Sequence, residues 1–247
     1  MNQLDLMDTP EELVGRDKTG RICVVVDILR ATTTIQAAFE AGADQVWAVP
    51  QLEMARELKA NQPNLVLAGE RGGIAPLGFD LGNSPLEFTA AKIRGKIVAI
   101  TTTNGTRALA ATHGAKQVIT GCFLNAKAVL NHLLAANLPC FLGCAGHLPS
   151  GSFRAEPCSE DRLFAGFLAC ELADRGYRLC AKAKEAKEEW MANLDLSLEN
   201  RLIGSSHGQT LSQLGFALDV RFAAQWNTSA RVAQFFHAGD RNIWMSL

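Results

Sequence analysis

The chain has 247 residues, 48% of them hydrophobic, which is enough to bury a sizeable core. Its formal net charge of −1 lacks the basic excess that nucleic-acid or membrane-surface binding requires, and its apolar runs are too short to span a bilayer. Seven scattered cysteines without a CxxC pair read as reduced thiols, and the start MNQLDLMDTPEELVG lacks the basic flank and apolar core of a signal peptide, so a cytoplasmic protein is expected.

In chain order, short β-rich runs alternate with helical stretches. The first strand, 22–26, is apolar throughout and ends in Asp27, within VVVDILRATTT. A carboxylate at the carboxyl end of a strand, followed by Arg30 and three threonines, can hold a metal or act as a general base. Capping of the following loop is the structural alternative. A helix is predicted over 33–41, a strand over 45–49, a helix over 52–60 and a strand over 65–68. Glu70 follows, in GERGGIAPLGFDLGNSPLEF (69–88), where five glycines permit close backbone approach or positive φ. Ser84, Pro85 and Glu87 read as a capping box for a helix over 84–92. Glu70, Asp80 and Asn83 have no such account. Hard oxygen donors of this kind suit Mg2+, and Asn83 is also a candidate phosphate contact.

The strand over 96–100 runs into ITTTNGTRAL. Asn-Gly is a strong hairpin signal. The residues that follow, ALAATHG, are instead helix formers ending in a glycine, so the reading is strand, polar loop and helix over 107–112. That geometry turns backbone N–H groups, the hydroxyls of Thr102, Thr103 and Thr106, Asn104, Gly105 and the Arg107 guanidinium toward one point. Such a point holds an anion, phosphate above all. A turn with only local hydrogen bonds is the alternative.

Strands over 117–120 and 139–144 and helices over 125–136 and 160–175 complete the alternation. Ser159 reads as the N-cap of the last helix. Glu160 and Asp161 either complement its dipole or add carboxylates to a metal site. Strands apolar throughout are covered on both faces, so the fold class is α/β, layered α/β/α with a mostly parallel or mixed sheet. Thr34, Ala38, Gly42, Ala43, Gln45 and Val46 recur as Thr106, Ala110, Gly114, Ala115, Gln117 and Val118, a constant offset of 72. The echo is either a duplicated strand–loop–helix–strand unit or two converged turns, and in both cases the Thr/Arg loops are expected to leave the strands at the same end. From about residue 180 a charged helical stretch, AKAKEAKEEWMANLDLSLEN, reads as a solvated face. The chain is read as a single domain, 1–247, whose last part caps the site or completes the core.

No HxH, HExxH, GxSxG, GxxxxGK[ST] or GxGxxG spacing occurs, against zinc, serine-hydrolase and common nucleotide sites. An anion loop with carboxylates on an α/β sheet points to metal-assisted hydrolysis of a phosphate ester. A non-catalytic binder of a phosphorylated metabolite and a phosphotransferase are the competing readings. Carboxylates beside bound phosphate would repel it without a metal, which favours the enzyme.

VVVDILRATTTI, GERGG with GFDLGNSPLEF, TTTNGTRAL, GCFLNAKAV and SEDRLFAG occur in this order over roughly residues 21–170. Together they resemble the 2-phosphosulfolactate phosphatase family of coenzyme M biosynthesis. The resemblance implies a Mg2+-dependent phosphatase on an α/β fold that converts 2-phosphosulfolactate to sulfolactate and phosphate. By motif it makes Asp27, Glu70 and Asp161 metal or water-activating carboxylates. It makes Arg30, Thr102, Thr103, Asn104, Gly105, Thr106 and Arg107 phosphate or sulfonate contacts, the two arginines balancing an anionic substrate. Another small phosphorylated acid is an open alternative as substrate, and a homodimer is compatible with the sequence.

Overall fold

The computed structural model describes residues 2–238 and 241–246, with side chains as far as Phe236. Ten strands form one sheet: β1 (Gln3–Met7), β2 (Ile22–Val26), β3 (Gln45–Ala48), β4 (Val66–Gly69), β5 (Ile97–Thr101), β6 (Gln117–Gly121), β7 (Cys140–Cys144), β8 (Arg178–Leu179), β9 (Ala233–Ala238) and β10 (Arg241–Ser246). Their order is β4-β5-β3-β10-β9-β6-β2-β7-β1-β8. The helices are α1 (Pro10–Leu13), α2 (Ala31–Glu40), α3 (Leu52–Asn61), α4 (Ala90–Ile93), α5 (Gly105–Ala111), α6 (Ala126–Ala136), α7 (Ser159–Ala173), α8 (Ala181–Met191), α9 (Leu198–Ile203), α10 (Ser206–Gln213) and α11 (Ala217–Ala223). The fold is α/β with helices on both sides of a mostly parallel, mixed sheet.

Two parallel groups, β4-β5-β3 and β6-β2-β7-β1-β8, are joined by the antiparallel hairpin β9–β10. Because the hairpin pairs antiparallel at each of its three ladders, the two groups run in opposite senses. The expectation that the Thr/Arg loops leave at one end of a uniform sheet is therefore corrected. The loops still converge, because the sheet does not lie flat. Twist accumulates at roughly 20–25° per strand step, and four strands separate β2 from β5. The two groups turn toward each other over a shared core that includes Val25, Val46, Val98 and Val118 with Ile35 and Phe39 of α2 and Leu109 of α5. The opposite face of β2 and β7 packs on α6, α7 and α8, and the far face of β3–β5 carries α3.

The internal echo has a counterpart in strand pairing. Ile22 of β2 pairs with Gln117 of β6, and Ile97 of β5 pairs with Gln45 of β3, each first strand docking on the second strand of the other copy. The equivalent turn glycines match as well, with Gly42 at φ +90° and Gly114 at φ +87°.

The helix expected over 84–92 divides into a 3-10 turn at Pro85–Glu87 and the single turn α4. The predicted capping box does not form: the Ser84 hydroxyl donates to Asp219 Oδ1 at 2.6 Å, and Glu87 Oε2 accepts the Gly82 N–H at 2.8 Å. Cys158, not Ser159, occupies the N-cap of α7. On the charge-rich α8 only Ala183 and Ala186 are buried, as a solvated face requires.

Candidate active site

Four strand ends and the C-terminal helix α10 deliver the site. A cavity of about 470 Å3 is lined by the ends of β2 and β4, the loop after β5, the loop after β7 and the face of α10. His207, Thr210 and Leu211 of α10 and its C-cap Leu214 recur at helical spacing and so share the face that lines the cavity. Ser205 fixes the start of that helix, its hydroxyl accepting the Gly208 N–H at 2.9 Å. The region after residue 180 thus forms a wall of the site.

Asp27 lies at the carboxyl end of β2, buried. Its Oδ1 accepts the Ala31 N–H at 3.0 Å, so it does cap α2. The carboxyl is nevertheless pushed up to about 7: burial dominates, Glu70 and Glu160 add to it, and the Ala31 N–H and Arg30 oppose it. Gly105 leaves room beside it, since a Cβ there would stand 3.2 Å from Asp27 Oδ2 and 2.9 Å from both Ala31 Cβ and Thr102 Oγ1. Gly69 serves the same economy at the end of β4, where φ is +149° and a Cβ would meet the Thr101 carbonyl oxygen at 2.1 Å.

Glu70 lines the cavity with both oxygens engaged, Oε1 accepting the Thr103 N–H at 2.7 Å and Oε2 the Gly73 N–H at 2.9 Å. It braces two loops, and the Thr103 N–H is not free for an anion. Asp161 is likewise occupied, Oδ1 by the Ile28 N–H at 2.9 Å and Oδ2 by the Gly146 N–H at 3.2 Å. Burial and the neighbouring Asp27 and Glu160 hold its carboxyl well above the ordinary range. Of the carboxylates expected from sequence, Glu70 and Asp161 accept one backbone N–H at each oxygen and Asp27 accepts one at Oδ1, so lone pairs remain on all three. Glu160, the residue before Asp161 and also buried, lines a small space together with Asp27, Asp161, His147 and His207. Among the described residues, no Lys, Arg or His nitrogen lies within 4.0 Å of Asp27 or Glu160, and no three His, Cys, Asp or Glu side chains are grouped as a ready-made metal cluster.

Thr102, Thr103 and Asn104 line the cavity as expected. Asn104 Oδ1 accepts the Leu148 N–H at 3.2 Å, which leaves its amide NH2 as a donor. Asn83 lines the cavity too, and its buried Oδ1 has no hydrogen-bond partner. Gly105 and Thr106 do not line it; Thr106 donates its hydroxyl to the Thr102 carbonyl at 2.8 Å and supports the loop from behind.

The arginines are redistributed. Arg30 reaches the cavity but is buried in an ion pair with Asp219 of α11 at 2.7 Å, donates to the Gly73 carbonyl at 2.7 Å and lies over the Phe216 ring. Arg107 lies outside the lining and pairs with Glu11 of α1. Arg71, which sequence reasoning passed over inside GERGG, lines the cavity, donating to the Glu70 carbonyl at 2.6 Å and to Thr101 Oγ1 at 3.0 Å. No carboxylate lies within 4.0 Å of it among the described residues. His207 was also missed, although the spacing of α10 carries the signal. Its ring centroid is 5.9 Å from that of His147, and burial keeps its pKa below the ordinary imidazole value.

Known proteins are similar to this chain along most of its length. A family model described as 2-phosphosulpholactate phosphatase matches residues 7–236. The chain is 38% identical over 229 residues to a probable 2-phosphosulfolactate phosphatase of Carboxydothermus hydrogenoformans, covering 91% of this chain and 90% of that protein. It is 36% identical over 232 residues to the protein of the same name in Pseudothermotoga lettingae, with 94% and 95% covered. The Thermotoga maritima protein of that name is 36% identical over 202 residues, with 82% and 83% covered.

Proposed function

The chain belongs to the 2-phosphosulpholactate phosphatase family, and on that premise we propose that it hydrolyses the phosphate ester of 2-phosphosulfolactate, or of a similar small phosphorylated acid, to the free hydroxy acid and phosphate. The observation that supports this reading is the meeting, in one cavity, of a buried carboxylate raised toward neutrality with a Thr-Thr-Asn loop and an arginine that has no carboxylate partner. A pure anion binder gains nothing from carboxylates placed there.

Mg2+ fits the donor set. Asp27 and Glu160 are hard oxygen donors, buried and short of a cationic partner, and Mg2+ takes one or two carboxylates and completes its shell with water and substrate oxygens. Asp27 and Glu160 would hold it, and when bound it would neutralise phosphoryl oxygens and lower the pKa of its water. The chain's own groups do the rest. The hydroxyls of Thr102 and Thr103 and the amide of Asn104 hold the equatorial phosphoryl oxygens, and Arg71 pairs with the substrate carboxylate. His207, neutral at pH 7, takes the proton of the attacking water at a ring nitrogen. The ester oxygen leaves from the opposite side of phosphorus and takes its proton from a solvent water, and the imidazolium then gives its own proton to the hydroxide so formed. Glu70 and Asp161 position the loops that carry these groups.

The test is phosphate release from 2-phosphosulfolactate, 2-phospholactate, phosphoglycerate and p-nitrophenyl phosphate, each with Mg2+ and with excess EDTA. Metal-dependent release from at least one acid is expected. Folded protein that binds the esters calorimetrically but releases nothing would overturn the reading in favour of a binder.

A further inference from the structure

Resting on that reading, we propose that the cavity takes phosphate esters of 2-hydroxy acids with an apolar body, such as a branched alkyl or an aromatic group, at least as well as it takes the sulfonate. Three observations carry this. The first is charge. 2-Phosphosulfolactate carries phosphate, carboxylate and sulfonate together, yet the cavity supplies one arginine without a carboxylate partner, Arg71, because Arg30 is neutralised by Asp219. One guanidinium can serve one anionic group besides the phosphate, and the carboxylate is that group in every 2-hydroxy acid.

The second is the wall. Leu29, Leu148, Leu211 and Leu214 line the cavity together with the imidazoles of His147 and His207. None of the four leucines can donate to a sulfonate, and burying one against them would desolvate a charge without a partner. A hydrocarbon group gains there what a sulfonate loses. The third is size. A cavity of about 470 Å3 has room for an aromatic body as large as that of 3-phenyllactate as well as for the sulfonate.

The chemistry is that of the main reaction. Water oxygen bonds to phosphorus, the ester P–O bond breaks, and the hydroxy acid leaves with a proton taken from solvent water. Only the group on the adjoining carbon differs.

The experiment compares kcat/KM of wild-type protein, with Mg2+, for three esters: 2-phosphosulfolactate and the 2-phosphates of 4-methyl-2-hydroxypentanoate and 3-phenyllactate. At least one apolar ester should equal or exceed the sulfonate. Leu214→Arg places a cation in the wall at a position 42% exposed, where the longer side chain is tolerated. It should raise the sulfonate-to-alkyl ratio about tenfold, the scale on which a hydrophobic pocket discriminates. Sulfonate hydrolysis with the apolar esters more than tenfold weaker would overturn this proposal and leave the phosphatase reading standing. An unchanged ratio in Leu214→Arg would also overturn it. Release from none of the three, with folded protein, would remove the phosphatase reading and this proposal with it.

Discussion

Removing the Asp219 carboxylate should loosen the C-terminal wall from the catalytic loops. Arg30 and Asp219 are both about 2% exposed and 2.7 Å apart, and Asp219 also accepts the Ser84 hydroxyl at 2.6 Å. One residue of α11 therefore ties down the loop after β2 and the segment before Pro85. In Asp219→Ala the Arg30 guanidinium stays buried with only the Gly73 carbonyl and the Phe216 ring. Breaking a buried pair from one side costs about 3–5 kcal/mol, and the lost Ser84 bond adds about 1 kcal/mol. The ring contact and carbonyl retain about 1–2 kcal/mol for the cation. The net loss is about 2–5 kcal/mol, which for a chain of this length lowers Tm by roughly 4–20 °C. Urea unfolding followed by tryptophan fluorescence measures it, with Trp190 and Trp226 packed together beside Phe167 as reporters. Asp219→Asn should fall between, since an amide still accepts the Ser84 hydroxyl but carries no charge. Because α11 follows the wall helix α10, KM should also rise in Asp219→Ala. A loss below about 1 kcal/mol with unchanged KM would refute the argument that this pair fastens the wall.

Asp27→Asn should lower turnover by orders of magnitude while folding persists. The raised carboxyl also predicts a stability signature in EDTA-treated wild type. With its ordinary 3.8 raised to about 7, the folded state holds the proton more tightly than the unfolded chain. The associated stability, on the order of 2–4 kcal/mol, is present below about pH 4 and lost as pH rises through 7. Asp27→Asn should flatten that slope, and equal slopes in both proteins would count against the assignment. Arg71→Ala should raise KM by roughly ten- to a hundredfold, the scale of a charge-assisted contact at about 1.5–3 kcal/mol. Arg107→Ala, outside the lining, should leave kcat/KM within a few-fold, and steady-state kinetics that rank the two the other way would reverse the placement. Gly105→Ala must move Ala31, the Thr102 hydroxyl or Asp27, so kcat should fall about tenfold or more with only a small change in Tm; wild-type kcat would show the crowding to be relieved elsewhere.

Much of this protein is legible in its sequence. The apolar runs that become β2 to β7 could be read because each is buried on both faces, which only a covered sheet permits. The strand–loop–helix reading of ITTTNGTRAL held against the hairpin alternative because ALAATHG is helix-forming. The echo at offset 72 also has a counterpart in strand pairing, Ile22 with Gln117 and Ile97 with Gln45, although the first strands are themselves 75 residues apart. Strands β1, β8, β9 and β10 were not legible: β8 has two residues, and the others are strands only because a neighbour in space completes their ladders. The opposite senses of the two sheet groups follow from the β9–β10 hairpin, and so depend on pairings such as Val118 with Phe235 and Asn242 with Ala48, more than a hundred residues apart. Residue type identified the anion loop and the carboxylate-rich strand ends, but partnership decided their roles. Glu70 and Asp161 accept a backbone N–H at each oxygen, Arg30 spends its charge on Asp219 and Arg107 spends its charge on Glu11. A side chain's chemistry is written in the sequence; whether that chemistry is free to act depends on which groups lie within about 3 Å of it, and only the tertiary structure sets that.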